Sequence, residues 1–563
     1  MIGNQSNLTA ALNIFLQKVW TSSSAKNSFN QYWESLITND PQLTNVFVVI
    51  DMVWGGNKRV LISTNAISVT ANSTSKVYNY LPLLQSEIEI PSVYSIGTST
   101  PSQRSLNITI DGRIIDPMSI VLGGQSLAGF AEISLIDDGG DYDNRFIIIR
   151  GDMSGGVGFG FKEETMSTTI IDPSYTSDKI TPSLVADRDK IPTLPDSYVG
   201  KRYPMVFGSY PYVPCLRMSE YQYGPSWLVC SGRDYIVQNV YINGNYRPPD
   251  DPHRGYEIIY SSDKENNPIT VLKFVATSTV WESGDTVYAD LRMKDNVAED
   301  LMAIIRKIII SSSMLNEVSL DERLFFRAQT KLVKMYPKCL INGSGSNDST
   351  RALEYIQSGL LSSFPMVSMT YTGNGYGPIV TDRRSDVVVM NLIARQKFLF
   401  DRISDIQESS KTEVKNSFTL RYNFNAVDNT YKSVIMRDQT NSPLCKISQD
   451  LYGRSDSDVM ESVIIFDDKT ADAVVSWMVS HYSLPSYYVE YSASPQLYFK
   501  LMLGDNIYLT DDKLGISSQK CTVEKISYTK GQLILGLRMW ILYDKLGTST
   551  AFGGSVLTTT PIS

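Results

Sequence analysis

Several carboxylates lie close together in the sequence, where they could bind a metal ion or act as an acid and a base. An acidic cluster over residues 137–144 offers oxygen atoms that could surround Ca²⁺. It lacks the EF-hand order, in which alternating ligands are followed by a Gly and a distant Glu. We predict a turn here, and whether it holds an ion stays open. The cluster consists of Asp137, Asp138, Asp141, Asp143 and Asn144.

Three adjacent carboxylate pairs could supply the acid and the base of glycoside hydrolysis, which needs two carboxylates at a set separation in space. Adjacent residues on a strand face opposite ways, which disfavours a pair that points into one site. Turn and capping roles are therefore predicted for Asp250-Asp251, Asp467-Asp468 and Asp511-Asp512.

Two segments approach the form of nucleophile or phosphate sites. Residues 124–128 (Gly-Gln-Ser-Leu-Ala) approach the G-x-S-x-G elbow, but Ser126 precedes a predicted strand and does not lie between a strand and a helix. The glycine run 151–160 has no helix signal after it and no closing Gly-Lys-Ser/Thr. We predict neither a nucleophile nor a phosphate loop, and we interpret the glycine run as a turn or flap.

Histidine is scarce, with only His253 and His481 in 563 residues. Enzyme classes that combine a His base with His metal ligands therefore have almost no material here. Both histidines are predicted to be structural, His253 in a polar loop and His481 near a helix end. Arg383-Arg384 is predicted to be a short basic loop tip, either solvated or in contact with a partner. We predict no catalytic, cofactor-binding or metal-binding residue and no cofactor, so the chain is not expected to be an enzyme.

Charge and cysteine content narrow the class further. The net charge of −8 argues against neutralising nucleic-acid phosphates, although a wall past which DNA slides is compatible with it. Five widely spaced cysteines predict neither a zinc knuckle nor a disulfide framework. The first residues lack the basic flank and apolar run of a signal peptide, and no membrane span is predicted. These cysteines, expected to be reduced and mostly buried, are Cys215, Cys230, Cys339, Cys445 and Cys521.

Tyrosine is abundant, with 33 residues. Several aromatics fall in polar or proline-rich stretches, where they could form a contact surface or simply pack. They are Tyr210, Tyr212, Tyr221, Tyr223, Trp227, Tyr241 and Tyr246.

The elements that must position these residues are mostly strands. Period-two alternation dominates residues 46–149 and 418–538, whereas residues 296–308 and 349–361 have helical spacing. The predicted fold is mainly β with α+β parts and several domains, in which two β units, the first fitting a barrel or a sandwich, flank two intervening α+β domains. The predicted segments are an N-terminal arm with a helix (1–44), a first β unit (45–171), a proline-rich connector (172–204), a mixed β domain (205–292), a small α+β domain (293–404), a second β unit (405–543) and a flexible C-terminal tail (544–563).

Four phrases, in this order, resemble the central hub proteins of tailed bacteriophage baseplates and tail tips. The resemblance spans roughly residues 45 to 543. The phrases are Ala131–Asp143, Leu194–Gly208 with its P-x-x-x-x-G-K-x-x-P-x-x-x-G pattern, Asn416–Asn425, and the run from Thr470–Trp477 through Leu501–Leu509 to Leu533–Arg538.

That resemblance implies a structural virion protein at the tail tip or baseplate, made in the host cytoplasm. It also implies that each of the two β units, 45–171 and 405–543, is a β-barrel. In such a family a homotrimer places six barrels in a pseudo-sixfold collar that adapts the hexameric tail tube to a threefold tip. The implied partners are the tail tube or distal tail protein, the tape-measure C-terminus and a central spike or fibre. DNA would pass through the lumen during ejection without specific binding. Two alternatives stay open: a receptor-binding adhesin that uses the tyrosine-rich loops, and a carbohydrate-degrading tail enzyme.

Overall fold

The structure is a computed structural model that describes residues 32–540 apart from short internal stretches. The helix of the N-terminal arm is predicted from the helical spacing of Leu8, Leu12, Phe15, Leu16 and Val19, and this segment and the tail 544–563 lie outside the described residues. The internal stretches left out are 34, 41–42, 55–57, 86–87, 89, 94–104, 112–128, 154–159, 163, 172–179, 220–224, 253, 276–280, 283, 295–299, 312–319, 333–334, 343–349, 373–374, 426–428 and 530–531.

The prediction of a mainly β, multidomain chain is confirmed. Strands of the first unit alternate apolar and polar residues, so that one face of each lines a core. They are β1 (Val46–Trp54), β2 (Lys58–Ser63), β3 (Ile67–Ala71), β4 (Lys76–Pro82), β5 (Ile90–Val93), β6 (Ser105–Asp111), β7 (Gly129–Asp137), β8 (Phe146–Asp152), β9 (Gly160–Lys162) and β10 (Thr165–Ile171).

The first sheet closes on itself. Its strands follow the order β2-β1-β7-β8-β10-β6. The segment after β4 bridges the two ends, because the Asp111 amide donates to the Leu83 carbonyl (2.7 Å) and the Leu84 amide donates to the Ser63 carbonyl (3.0 Å). The β3–β4 hairpin folds over the outside of β1 and buries Phe47 and Val49 in a second small core. Strand β1 is therefore buried on both faces.

A β-sandwich follows, with two four-stranded sheets ordered β13-β20-β16-β17 and β14-β15-β19-β18 around one core. Part of the predicted connector belongs with it, because Ala186, Ile191 and Leu194 pack against the second sheet. The strands of this region are β11 (Ile180–Thr181), β12 (Met205–Phe207), β13 (Val213–Pro214), β14 (Leu216–Arg217), β15 (Ser226–Ser231), β16 (Tyr235–Ile242), β17 (Asn245–Arg247), β18 (Tyr256–Ser262), β19 (Pro268–Phe274) and β20 (Val287–Met293).

An α+β unit comes next. The apolar stripe of its first helix is buried, as its spacing predicts, with Ile304, Ile305 and Ile308 in the core. The elements are α1 (Leu301–Ser311), α2 (Glu322–Lys331), β21 (Cys339–Ile341), β22 (Thr350–Arg351), α3 (Ala352–Glu354) with a π-helical continuation Tyr355–Leu360, β23 (Val367–Thr372) and β24 (Gly375–Val380).

The last third contains a second barrel interrupted by an inserted unit. Its elements are β25 (Met390–Ile393), β26 (Leu399–Arg402), β27 (Gln407–Glu408), β28 (Phe418–Asn425), β29 (Thr430–Arg437), α4 (Pro443–Tyr452), β30 (Met460–Glu461), α5 (Asp468–Tyr482), β31 (Ser486–Ala493), α6 (Leu497–Lys500), β32 (Asn506–Asp511), β33 (Ile516–Thr529) and β34 (Gln532–Trp540).

The strand pairing corrects the composition of the predicted 405–543 barrel. Strands β25 and β26 precede residue 405 but pair within the second barrel sheet. Strands β28, β29 and β30 form a separate sheet, and α5 packs beside them in the core of the α+β unit. The apolar faces of β28 and α5 are buried by that unit, so this segment contributes no strand to the barrel sheet.

Candidate assembly site

The two barrels have matching strand orders. Around the second barrel the strands follow β32-β33-β34-β31-β26-β25, and a bridge between Ala394 and Leu399 joins the β25 and β26 ends. Around the first they follow β7-β8-β10-β6, then residues 83–85, then β2 and β1. If β1 is omitted, the six positions of the first barrel correspond one to one with those of the second, in the same chain order.

Strand directions match as well. In the first barrel the neighbours β7–β8, β8–β10, β10–β6 and β6 with residues 83–85 are antiparallel. In the second barrel the corresponding neighbours β32–β33, β33–β34, β34–β31 and β31–β26 are antiparallel as well. The fifth pair is parallel in both, β2 with the end of β4 in one and the β25–β26 bridge in the other. Because β1 is antiparallel to both β2 and β7, β2 and β7 point the same way. Strands β25 and β32, which adjoin directly, are likewise parallel. The first barrel thus equals the second plus one inserted strand.

The barrels lie side by side and share one hydrophobic core. Strand β5, from the first-barrel segment, pairs with residues 525–528 of β33 in the second barrel. Trp33 stacks on Phe499, with ring centroids 5.0 Å apart, and meets the Phe146 ring edge-on at 5.7 Å. The Gln496 side-chain amide donates to the Ile37 carbonyl at 2.6 Å. The arrangement fixes the position of one barrel relative to the other.

A buried ion cluster ties the second barrel to α2. The Asp505 carboxylate accepts hydrogen bonds from Lys331 Nζ (2.8 Å), from Arg327 and from the Met502 amide (2.8 Å). Burial alone would raise the pKa of Asp505, but the two cations outweigh it and hold that pKa below its ordinary value. Lys331 also donates to the Gly504 carbonyl at 2.9 Å. The α+β unit is thereby held against the barrel end where β32 begins.

Two carboxylates of the acidic cluster, those of Asp141 and Asp143, accept hydrogen bonds from backbone amides. Asp141 accepts the amides of Asn72 and Asp143, both at 3.0 Å, and Asp143 accepts the Ser73 amide at 3.0 Å. These carboxylates join the β3–β4 turn to the turn between β7 and β8. Within the described part of the chain, no group of three or more His, Cys, Asp or Glu residues is placed to hold a metal ion.

The adjacent carboxylate pairs are placed in turns, caps and ion pairs. Asp467 caps α5 by accepting the Thr470 amide at 2.8 Å, and Asp251 accepts the Arg254 amide at 2.9 Å. Asp511 is buried between Arg395 (2.7 Å) and the Tyr491 hydroxyl. Ser126, His253 and most of the 151–160 glycine run lie outside the described residues.

A cleft of about 530 Å³ lies between the outer face of the second barrel and the segment before β28. Burial raises the pKa of its most enclosed carboxyl, Glu524. The Arg538 guanidinium nevertheless donates to that carboxylate at 2.6 Å. A carboxylate committed to an arginine is poorly placed to act as a general acid, so the cleft gives no support to glycoside hydrolysis.

His481 is buried in the wall of that cleft. Its Nδ1 lies 2.9 Å from the Trp477 carbonyl, and its ring stacks on Trp477 with centroids 4.1 Å apart. The Arg383 amide approaches Nε2 at 3.5 Å. Burial, with Arg383 and Arg384 nearby, lowers the pKa of His481 well below its ordinary value, so the ring is neutral.

Stability should therefore fall in mild acid. The unfolded chain binds a proton on His481 as the pH drops below about 6.5, while the folded chain does not. The free energy of unfolding is expected to decrease by up to about 1.4 kcal/mol per pH unit between roughly pH 6.5 and 5. Urea titrations at several pH values measure this slope. A His481→Gln variant should lose that part of the slope, and an unchanged slope would contradict a neutral buried ring.

The structure places Arg383 and Arg384 in a turn, where Arg384 is exposed and Arg383 is half-buried. Arg384 forms an ion pair with Asp382 at 2.8 Å. Arg383 lies over the Trp540 ring, 5.4 Å from its centroid, and burial lowers its pKa to about 10. The loop lies between α5 and the second barrel, because Trp477 Nε1 of α5 and Asn506 Nδ2 of β32 donate to the carbonyls of Thr381 and Asp382.

The aromatic set divides into packed and surface members. Trp227 is buried, and Tyr210 packs edge-on against Phe466. Tyr212, Tyr241 and Tyr246 lie in contact on one sheet face. Tyr221 and Tyr223 lie outside the described residues.

All five cysteines are buried and form no disulfide with one another. No described helix has the length and apolar character needed to cross a membrane.

Comparisons with known proteins add little to this geometry. No protein-family model matches the chain, and no curated protein matches it. One similar solved chain comes from a structure described as "Topological model of p2 virion baseplate in activated conformation". It is 12% identical, the match covers 64% of this chain and 96% of that one, and the TM-score is 0.16. A TM-score this low supports no conclusion about fold or function.

Proposed function

We propose that this chain is a non-enzymatic structural protein of a bacteriophage virion, the central hub of the tail tip or baseplate. Three copies form a ring in which six barrels alternate around one axis. The ring adapts a hexameric tail tube to a threefold tip and encloses part of the DNA channel. The observation that carries the proposal is the pair of barrels with one strand order, side by side in one polypeptide.

The geometry of the joint supports this arrangement. A C3 ring needs two kinds of barrel contact, one within a chain and one between chains. The intrachain contact is the shared core with the β5–β33 pairing. For the contact between chains, the outer face of the β3–β4 hairpin offers Val77 and Leu81, which are 54% and 43% exposed. Exposed apolar residues on an outer barrel face suit a second copy of the chain.

Purified full-length protein is expected to form a trimer of 63.0-kDa chains by native mass spectrometry. Electron-microscopy class averages should show threefold symmetry with six barrel densities. Monomers alone, or a closed ring of six chains, would sink the proposal. Labelled protein should also localise to the tail tip of the virion.

A matched pair of variants tests the assigned contact. The double change Val77→Glu and Leu81→Glu should dissociate the ring, since it places charges in the apolar contact. The double change Val434→Glu and Met436→Glu alters equally exposed residues of β29 outside the barrels and should leave the trimer intact. If the trimer survives the first change and not the second, the interface has been assigned to the wrong face.

A further inference from the structure

A row of tyrosines crosses the first sheet of the sandwich. Tyr246 on β17 lies opposite Tyr241 on β16, and Tyr241 lies opposite Tyr288 on β20. Tyr288 in turn lies opposite Pro214 on β13. Residues directly opposite one another on paired strands share a face. Four ring-bearing side chains therefore stand side by side across all four strands, and we call this row the tyrosine ladder.

The ladder is accessible and held in place. Tyr246 is 54% exposed, and Tyr241 and Tyr288 are half-buried. The Asp290 carboxylate, one row along the strands, accepts hydrogen bonds from the Tyr241 hydroxyl and Asn239 Nδ2, both at 2.9 Å. It also accepts the Tyr212 amide at 2.9 Å, and the Tyr212 ring packs 4.8 Å from that of Tyr241. Burial, with the Asp290 carboxylate, raises the pKa of Tyr241, which keeps its hydroxyl neutral.

We propose that the tyrosine ladder binds a saccharide chain that runs across the strands. Neighbouring strands are about 4.8 Å apart, a spacing comparable with the length of one hexopyranose unit. The Tyr241 and Tyr246 rings are 6.1 Å apart with their planes inclined by 66°, so sugar units of a chain that turns from one unit to the next could rest their C–H faces on tyrosine rings of different inclination, while Asp290 and Asn239 are placed to meet hydroxyl groups. Aromatic rings combined with a few fixed polar groups are what oriented ligand binding requires.

The composition of the face favours a sugar over a protein partner. Among the described residues of the sandwich, the large apolar side chains counted as exposed are Tyr246, Tyr260 and Val275. The last two are on or beside the other sheet. The ladder face therefore offers rings and polar groups without exposed aliphatic side chains. The inference does not depend on the proposed trimeric assembly, since it needs only a single folded chain.

The test applies purified full-length protein to an array of immobilised bacterial cell-wall and capsular oligosaccharides. Retention on at least one oligosaccharide is expected. Tyr246→Ala and Tyr288→Ala should each weaken binding about tenfold, whereas Tyr246→Phe should bind normally because stacking uses the ring alone. Tyr260→Ala is the matched control, an exposed tyrosine on β18 of the opposite sheet, and should leave binding unchanged.

Three outcomes would overturn the proposal. They are the absence of retention on every oligosaccharide, retention that the ladder variants leave unaltered, and protection of the ladder by a second copy or another protein in the assembled tip. Unfolding midpoints of the variants, compared with the wild type, separate loss of binding from loss of fold. Tyr246 is on a three-residue edge strand, so its replacement is expected to leave the fold intact.

Discussion

Replacement of Asp505 by Ala is expected to lower the free energy of unfolding by about 3–5 kcal/mol. The change leaves Arg327 and Lys331 buried without their counter-charge, and it removes the acceptor of the Met502 amide. Burial already lowers the pKa of Lys331 despite Asp505. Urea denaturation followed by tryptophan fluorescence measures the loss, and hydrogen exchange should show α2 and the start of β32 opening together.

Two controls separate burial from charge pairing as such. Glu461→Ala breaks an ion pair with Arg421 of similar length, 2.9 Å, in which both side chains are about half exposed, and it should cost about 0–1 kcal/mol. A triple variant with Asp505→Leu, Arg327→Met and Lys331→Met should recover most of the stability, because none of the three charges of the cluster remains buried. If Asp505→Ala costs no more than Glu461→Ala, the cluster does not hold the barrel to α2.

The cationic side of that cluster shows where sequence patterns fail. Arg323, Arg327 and Lys331 recur every four residues along α2, a spacing that ordinarily indicates a solvated helix face. The structure buries all three, with Arg323 paired to Asp321 and the other two to Asp505. Asp505 is 174 residues from Lys331, so no local pattern could reveal the partner that makes burial tolerable.

Alternation in the sequence predicts where strands lie, but it does not predict how those strands pair. Alternation along β7, β28 and β34 correctly marked strands, because period-two burial leaves a local trace. It could not show that β28 belongs to a separate sheet, or that β26 pairs with β31 across residues 403–485. Gly-Asp pairs occur after apolar runs in both β-patterned regions, but two residues are too few to indicate a repeat. Gly151-Asp152 ends β8, whereas Gly504-Asp505 precedes β32, the counterpart of β7.

Only part of the tyrosine ladder can be predicted from the sequence. Tyr241 and Tyr246 stand out in a polar stretch, whereas Tyr288 lies in an ordinary alternating strand that gives no such signal. Its membership depends on the register of β20 against β16, which includes a bulge between Val237 and Asn239. A register shift of one residue would turn Tyr288 to the other face. Only the paired structure reveals the row.

Trp33→Ala is expected to cost about 3–5 kcal/mol and to loosen the joint between the barrels. The indole is fully buried, stacks on Phe499 of the second barrel and donates from Nε1 to the Asn144 carbonyl of the first at 2.8 Å. Its removal leaves a cavity at the contact and an unpaired carbonyl. Urea denaturation gives the cost, and Phe130→Ala, at a position 43% exposed, should cost little.

The same variant links stability to assembly. If the ring closes only when the two barrels of each chain are held at one angle, Trp33→Ala should populate monomers at concentrations where the wild type and Phe130→Ala remain trimeric. Trp33→Phe keeps the stacking ring and should restore most of the trimer. A Trp33→Ala protein that is strongly destabilised yet fully trimeric would show that contacts between chains, and not the joint within a chain, set the angle of the barrels.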